Sequence, residues 1–195
     1  MRTALIVVDV QKDFCEGGAL AVPGGTRVAS NIATLLNTAG FLYDLIVFTK
    51  DYHQAGSDNG GHISDTPDFV DTWPPHCIED TEGQDLHPAL WDVRPEKPVT
   101  FIFKGHGEPG YSGFSGTTAL GMSLVNLLDL HGIQDVDVCG IAAEYCVKQT
   151  ALDAVIAGYN VTVMGSSYTA AMTPTGVDDV QRAVQQTTIE RDHNG

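Results

Sequence analysis

Three reactive side chains follow apolar runs in this chain. Asp9 comes directly after Ala4-Leu5-Ile6-Val7-Val8, and Lys104 after Val99-Thr100-Phe101-Ile102-Phe103. Cys146 lies a few residues beyond Val136-Asp137-Val138-Cys139, through Gly140-Ile141-Ala142-Ala143-Glu144-Tyr145. An Asp and a Lys that close apolar runs are costly to bury unless they pair. With a thiol they form a nucleophilic set. The ammonium and a helix start both favour thiolate, which predicts a lowered pKa for Cys146. The carboxylate can carry the thiol proton. A buried Asp–Lys pair beside an inert core thiol fits the same pattern. Cys139 sits inside an apolar run and reads as a small core residue. Cys15 and Cys77 fall in loop-like sequence and are assigned no chemistry.

A second cluster follows Leu45-Ile46-Val47-Phe48. In Asp51-Tyr52-His53, residues i and i+2 of an extended chain point the same way, so Asp51 and His53 can share a ligand. His62 and His76 come later in the same stretch. One carboxylate and three imidazoles suit a divalent transition metal, with Zn²⁺, Fe²⁺ and Mn²⁺ all open. The spacing is not a standard zinc pattern, and solvated loop histidines are the competing reading. His87, His106, His131 and His193 have no such grouping and read as surface or packing residues. Gly105-His106-Gly107-Glu108-Pro109-Gly110 matches G-x-G-x-x-G, but Pro109 and Tyr111-Ser112-Gly113-Phe114-Ser115-Gly116 continue it as loop. A dinucleotide fingerprint has to open a helix, so the match reads as chance.

These residues need a frame that brings them together. The runs at 4–8, 45–48, 99–103, 136–139 and 161–163 predict five strands, the first two continuous enough to be buried on both faces. Between them lie helical patterns. Val28, Ile32, Leu35, Leu36 and Ala39 form one stripe, stopped by Gly40. Leu120, Leu124, Leu127 and Leu128 form another, ending at Gly132. A third helix is predicted from Cys146 to Ala157, with Gly158 as its cap. Thr173-Pro174 reads as the start of a last helix carrying Val177, Val180 and Val184. Thr187 to Ile189 reads as a weak edge strand. The 51–98 stretch is loop, of a length usually tied to function. Strand–helix alternation predicts an α/β chain with a mainly parallel sheet between helix layers. Chemistry then gathers outside the carboxyl ends of the strands.

The chain has 195 residues, 43% hydrophobic and 18% charged, which predicts one folded domain over 1–195. With 25 acidic against 10 basic residues the net charge is −15. That balance argues against nucleic-acid or anionic-membrane partners, since both need a basic footprint. No apolar run approaches the ~20 residues of a transmembrane helix, and the chain reads as cytoplasmic. Four cysteines are too sparse for a disulfide scaffold.

Several segments carry a resemblance. ALIVVDVQKDFCEGG (4–18), TKDYH (49–53), WPPHC (73–77), FKG (103–105), YSGF (111–114) and GIAAEYCVKQT (140–150) resemble the nicotinamidase branch of the isochorismatase-like cysteine hydrolases. The order is kept across nearly the whole chain. The combination of D-V-Q-x-D-F, D-x-H, W-P-P-H-C and Y-C-V-K is specific to that branch. The resemblance implies the three-layer α/β/α isochorismatase-like fold and hydrolysis of nicotinamide, in NAD salvage, with pyrazinamide as a second substrate. It implies Asp9, Lys104 and Cys146 as the catalytic triad, and Asp51, His53, His62 and His76 as ligands of one divalent transition metal. It implies a non-proline cis bond at Ile141–Ala142, with the N–H groups of Ala142 and Cys146 as the oxyanion hole. Phe14, Trp73, Tyr111 and Ile141 match substrate-binding positions, Phe14 and Trp73 as aromatic walls for a flat ring. Monomer and homo-oligomer both stay open. One departure stands out: the family often reads Ala-Thr-Asp where this chain has Ala142-Ala143-Glu144. Ala143 lacks a hydroxyl, while Glu144 keeps the charge at a helix start.

Overall fold

The structure is a computed structural model and describes residues 1–194. The five predicted strands all form: β1 (Thr3–Val8), β2 (Leu45–Asp51), β3 (Val99–Lys104), β4 (Asp135–Ile141) and β5 (Asn160–Val163). A two-residue strand, β6 (Thr169–Ala170), continues the edge beside β4. The sheet order is β3-β2-β1-β4-β5, and every pairing is parallel.

Helix α1 (Gly25–Ala39) covers one face; α2 (Leu124–Leu130), α3 (Lys148–Ile156) and α4 (Gly176–Asn194) cover the other. This arrangement explains the unbroken apolar run of β1. Ala4, Ile6 and Val8 point to the α2–α4 side, while Leu5 and Val7 point to α1, and all five are fully buried. Strand order reverses at β1, because β2 and β3 lie to one side and β4 and β5 to the other. A crevice opens at such a switch point, outside the carboxyl ends of the strands. Register then fixes which residues meet there. Val8 lies opposite both Thr49 and Gly140, and Asp51 lies opposite Lys104.

Four expectations change. Leu120 is 97% exposed in a turn, and α2 starts only at Leu124, where the Ser123 hydroxyl accepts from Asn126 N. Thr173-Pro174 does not open the last helix, since Thr173 is drawn out of line by the Glu144 carboxylate. Thr187 to Ile189 belong to α4 rather than to a strand. The hydroxyls of Thr187 and Thr188 bond back to the carbonyls of Ala183 and Val184 within that helix. Cys146 lies in a π-turn (Ala143–Val147) that precedes α3. No helix of the described residues is long and apolar enough to cross a membrane.

Candidate active site

Four neighbouring strands, β3, β2, β1 and β4, each deliver a reactive group to the crevice. Asp9 follows β1 in a left-handed conformation, φ 47°. Its N–H donates to the carbonyl and hydroxyl of Thr49, and the Thr49 hydroxyl donates to Asp9 Oδ1 at 2.6 Å. Lys104 ends β3, fully buried at its ammonium. Nζ lies 2.8 Å from Asp9 Oδ2 and 3.5 Å from Cys146 Sγ. It also donates to Gly110 O at 3.0 Å and to Asp51 Oδ1. Sequence reasoning paired Lys104 with Asp9 alone. The structure makes it a bridge between two carboxylates, because the β2–β3 register sets Asp51 beside it.

The charges in this buried set are not those of water. Burial by itself lowers the pKa of Lys104, but Asp51 and Asp9 outweigh that and hold it well above the ordinary lysine value. Burial raises Asp9 despite the pull of Lys104. Asp51 goes the other way: burial opposes its charge, yet Lys104 and the imidazoles of His53 and His76 hold it well below the carboxylate range. The expected lowering at Cys146 is not found. Burial, with Asp9 and Asp51 facing the thiol, pushes it well up against the pull of Lys104. Cys146 therefore rests as a thiol beside a carboxylate of raised basicity.

Asp51, His53, His62 and His76 converge next to this set and are all buried. The three imidazoles each offer a nitrogen within 4.8 Å of the others. Asp51 Oδ2 is 3.7 Å from His53 Nε2 and 3.9 Å from His76 Nε2. His53 Nδ1 bonds to Gly105 O and His76 Nδ1 to Pro74 O, each at 2.7 Å. Those bonds place the proton on Nδ1 and leave the Nε2 lone pair facing inward. His53 Nε2 is buried with no hydrogen-bond partner in the protein. His62 is pushed down to about 4 by burial and by the other two imidazoles. Three buried imidazoles, an orphaned ring nitrogen among them, and a buried carboxylate are the donor set a divalent metal needs.

A cavity opens onto both groups. Phe14, Trp73, Tyr111, Ala142 and Cys146 line it, with His62, His76 and Asp51. Trp73 Nε1 donates to the Tyr111 hydroxyl at 3.0 Å, and its ring meets Tyr145 edge-on.

The isochorismatase domain family matches residues 3–190 of the sequence. This chain belongs to the isochorismatase domain family. Among its isochorismatase-family relatives, a nicotinamidase/pyrazinamidase of Mycobacterium tuberculosis is 47% identical over 161 residues, 83% of either chain. Two solved structures share the fold at 28% identity. The yeast nicotinamidase Pnc1p bound to the inhibitor nicotinaldehyde has a TM-score of 0.77, covering 95% of this chain and 97% of that one. The pyrazinamidase of Pyrococcus horikoshii in complex with zinc has 0.76, covering 96% and 97%.

Other candidates in this isochorismatase-family chain fall elsewhere. Ile141 does not line the cavity: as the last residue of β4 it is fully buried against the α1 face. The Ile141–Ala142 peptide is cis, as the resemblance implies. Cys15, Cys77 and Cys139 are buried free thiols raised by burial, and Cys139 packs in the core under α1. His87 accepts from Ala89 N in a short turn, and His106 stacks on Tyr52 and pairs with Glu79. The 105–110 loop binds no helix start, yet its carbonyls hold His53 and Lys104. Gly105 has to be glycine: at φ 79°, a Cβ would lie 2.7 Å from the His53 ring.

Several residues escaped the sequence reading. Tyr145, Leu20, Val22 and Met172 also line the cavity. Tyr145 stood beside the nucleophile in a segment already singled out, and only that adjacency marked it. Gln11 is fully buried; its amide holds both the N–H and the carbonyl of Asp51 at 2.8 Å. Its signal was the Gln two residues beyond Asp9. Glu144 accepts from Met172 N and Thr173 N, fixing the segment that brings Met172 to the cavity.

Proposed function

We propose that this chain is a nicotinamidase, hydrolysing nicotinamide to nicotinate and ammonia through a thioester on Cys146. The observation that carries this reading is the buried Asp9–Lys104–Cys146 set, with its thiol on the wall of an aromatic-lined cavity beside three buried imidazoles. The nicotinamidase and pyrazinamidase activities named for the relatives support the substrate class.

Phe14 and Trp73 flank the ring. Asp9 takes the Cys146 proton as sulfur bonds to the carboxamide carbon. Its raised pKa suits it to a proton that burial holds tightly. The N–H groups of Ala142 and Cys146 receive the developing oxyanion, at about 3 kcal/mol per donor. Asp9 returns the proton to the amine, the C–N bond breaks and ammonia leaves. Asp9 then deprotonates a water that attacks the thioester; nicotinate departs and the thiol is restored. Lys104 stays protonated and holds Asp9 in place throughout. Asp51, His53, His62 and His76 would hold one divalent transition metal, Zn²⁺, Fe²⁺ or Mn²⁺, which when bound supplies a Lewis-acidic anchor for the pyridine nitrogen. The reaction would feed nicotinamide into NAD salvage.

Ammonia release measured over nicotinamide, pyrazinamide and aliphatic amides, with metal analysis of the same sample, tests this. Turnover of both aromatic amides with about one metal per chain is expected. Pyrazinamide exchanges one ring C–H for nitrogen and keeps the carboxamide, so the pocket has little to reject. Release from an aliphatic amide with none from nicotinamide overturns the reading.

A further inference from the structure

The three imidazoles are not held alike. His53 and His76 are each fixed through their own ring, by the bonds from Nδ1 to Gly105 O and Pro74 O. His62 Nδ1 is buried with no such partner. Its ring meets those of His53, His76 and Tyr111. The place of His62 therefore depends on the backbone that carries it.

That backbone is folded around Asn59, three residues earlier. Asn59 is fully buried and left-handed, φ 48°. Its Oδ1 accepts from Gln54 N at 2.8 Å and from Gly107 N at 2.9 Å. Its Nδ2 donates to Gln54 O at 3.2 Å and Ser57 O at 3.1 Å. Both donors and both lone pairs of the amide are thus used. Gln54 follows His53, and Gly107 belongs to the loop whose Gly105 carbonyl holds the His53 ring. One side chain joins the His53 strand end, the loop leading to His62 and the loop behind His53.

We infer that Asn59 is a positioning residue of the metal centre, acting through His62. This rests on the metal reading of the four-residue set. It gives the chain a fifth residue whose loss weakens metal binding without touching the ion. Outer-shell residues of this kind change metal affinity by about 10–100-fold.

The test uses zinc with the full chain. Zinc dissociation constants are measured by chelator competition for the native protein, Asn59→Gly, His62→Ala and the double variant. Glycine accepts the left-handed backbone, so Asn59→Gly removes the hydrogen bonds without adding strain. Melting of the metal-free proteins is followed in parallel. A loss of 10-fold or more in Asn59→Gly is expected, with less than a further twofold loss when the change is made on His62→Ala. Asn59→Asp keeps the Oδ1 acceptor and loses the donors. It serves if Asn59→Gly does not fold, and a loss above threefold is expected there. Unchanged zinc affinity in a folded Asn59 variant overturns the inference, even if its metal-free melting temperature falls. So does an equal loss with and without His62. A native protein that binds no zinc, iron or manganese overturns the metal reading itself, and the inference with it.

Discussion

Lys104→Met would test the charge balance on which the site depends. Methionine keeps the unbranched stem and removes the ammonium that Asp9 and Asp51 share, both carboxylates being buried. Breaking a buried ion pair by removing one partner destabilises by about 3–5 kcal/mol. For a chain of this size each kcal/mol moves the melting temperature about 2–4 °C, so a fall on the order of 10 °C is expected near neutral pH. The pH dependence follows from the same charges. In the native protein Lys104 holds the Asp51 pKa down, and the stability this gives is present above about 3.9 and lost as pH falls. Without Lys104 burial dominates and both carboxylates rise above their unfolded values. That contribution is present at low pH and lost as pH rises. The gap between native and variant therefore widens from pH 4.5 to pH 7.5. Asp9, once protonated, no longer acts as a base, and turnover falls by about 10²–10⁴-fold. Thermal melts of metal-stripped proteins at the two pH values, with ammonia release from the untreated ones, give both numbers. A variant that melts within 2 °C of native at pH 7.5, or keeps a tenth of its turnover, refutes the reasoning.

Three other outcomes are expected. Cys146→Ala abolishes ammonia release in a folded protein, while Cys139→Ala, a core substitution away from the cavity, keeps it; activity in the first or loss in a folded second contradicts the assignment. Nicotinaldehyde, whose carbonyl can add the Cys146 thiol but has no ammonia to expel, binds native protein at least 10-fold more tightly than Cys146→Ala by calorimetry; equal affinities rule out the covalent adduct. Glu16 lies at the start of α1, where hydrogen bonding from the side chain and N–H of Thr26, with a smaller part from Gly24 N, draws its carboxyl down to about 2. Its stabilisation is present above the unfolded value near 4.3 and lost as pH falls through about 2, so Glu16→Gln lowers the melting temperature by about 1–3 °C at pH 7 and by less at pH 3. An equal difference at both pH values excludes the charge as its source.

β1 and β2 were legible because burial on both faces leaves a local mark, an apolar run with no polar interruption, and β3, β4 and β5 as apolar runs broken only by Thr100, Asp137 and Thr162. Asp9, Lys104 and Cys146 stood out for the same reason: each follows such a run, and in a parallel sheet those ends meet. Metal-ligating types at Asp51, His53, His62 and His76 were visible as a group, and the family resemblance gave them roles. Pairing was not visible. Nothing local to Asp51 or Lys104 says that they lie opposite each other, because register is set by contacts 53 residues apart. The sign of the Cys146 shift also needed the fold: the charges near it can be read from composition, but the burial that outweighs Lys104 comes from the packed layers. Thr187 to Ile189 carry strand propensity, yet Val177, Val180 and Val184 dock their segment on α3 and β5 as a helix. Asn59 and Gln11 read as ordinary polar residues in the sequence. Only tertiary structure removes them from water, and a buried amide has to find its partners in the chain segments that enclose it.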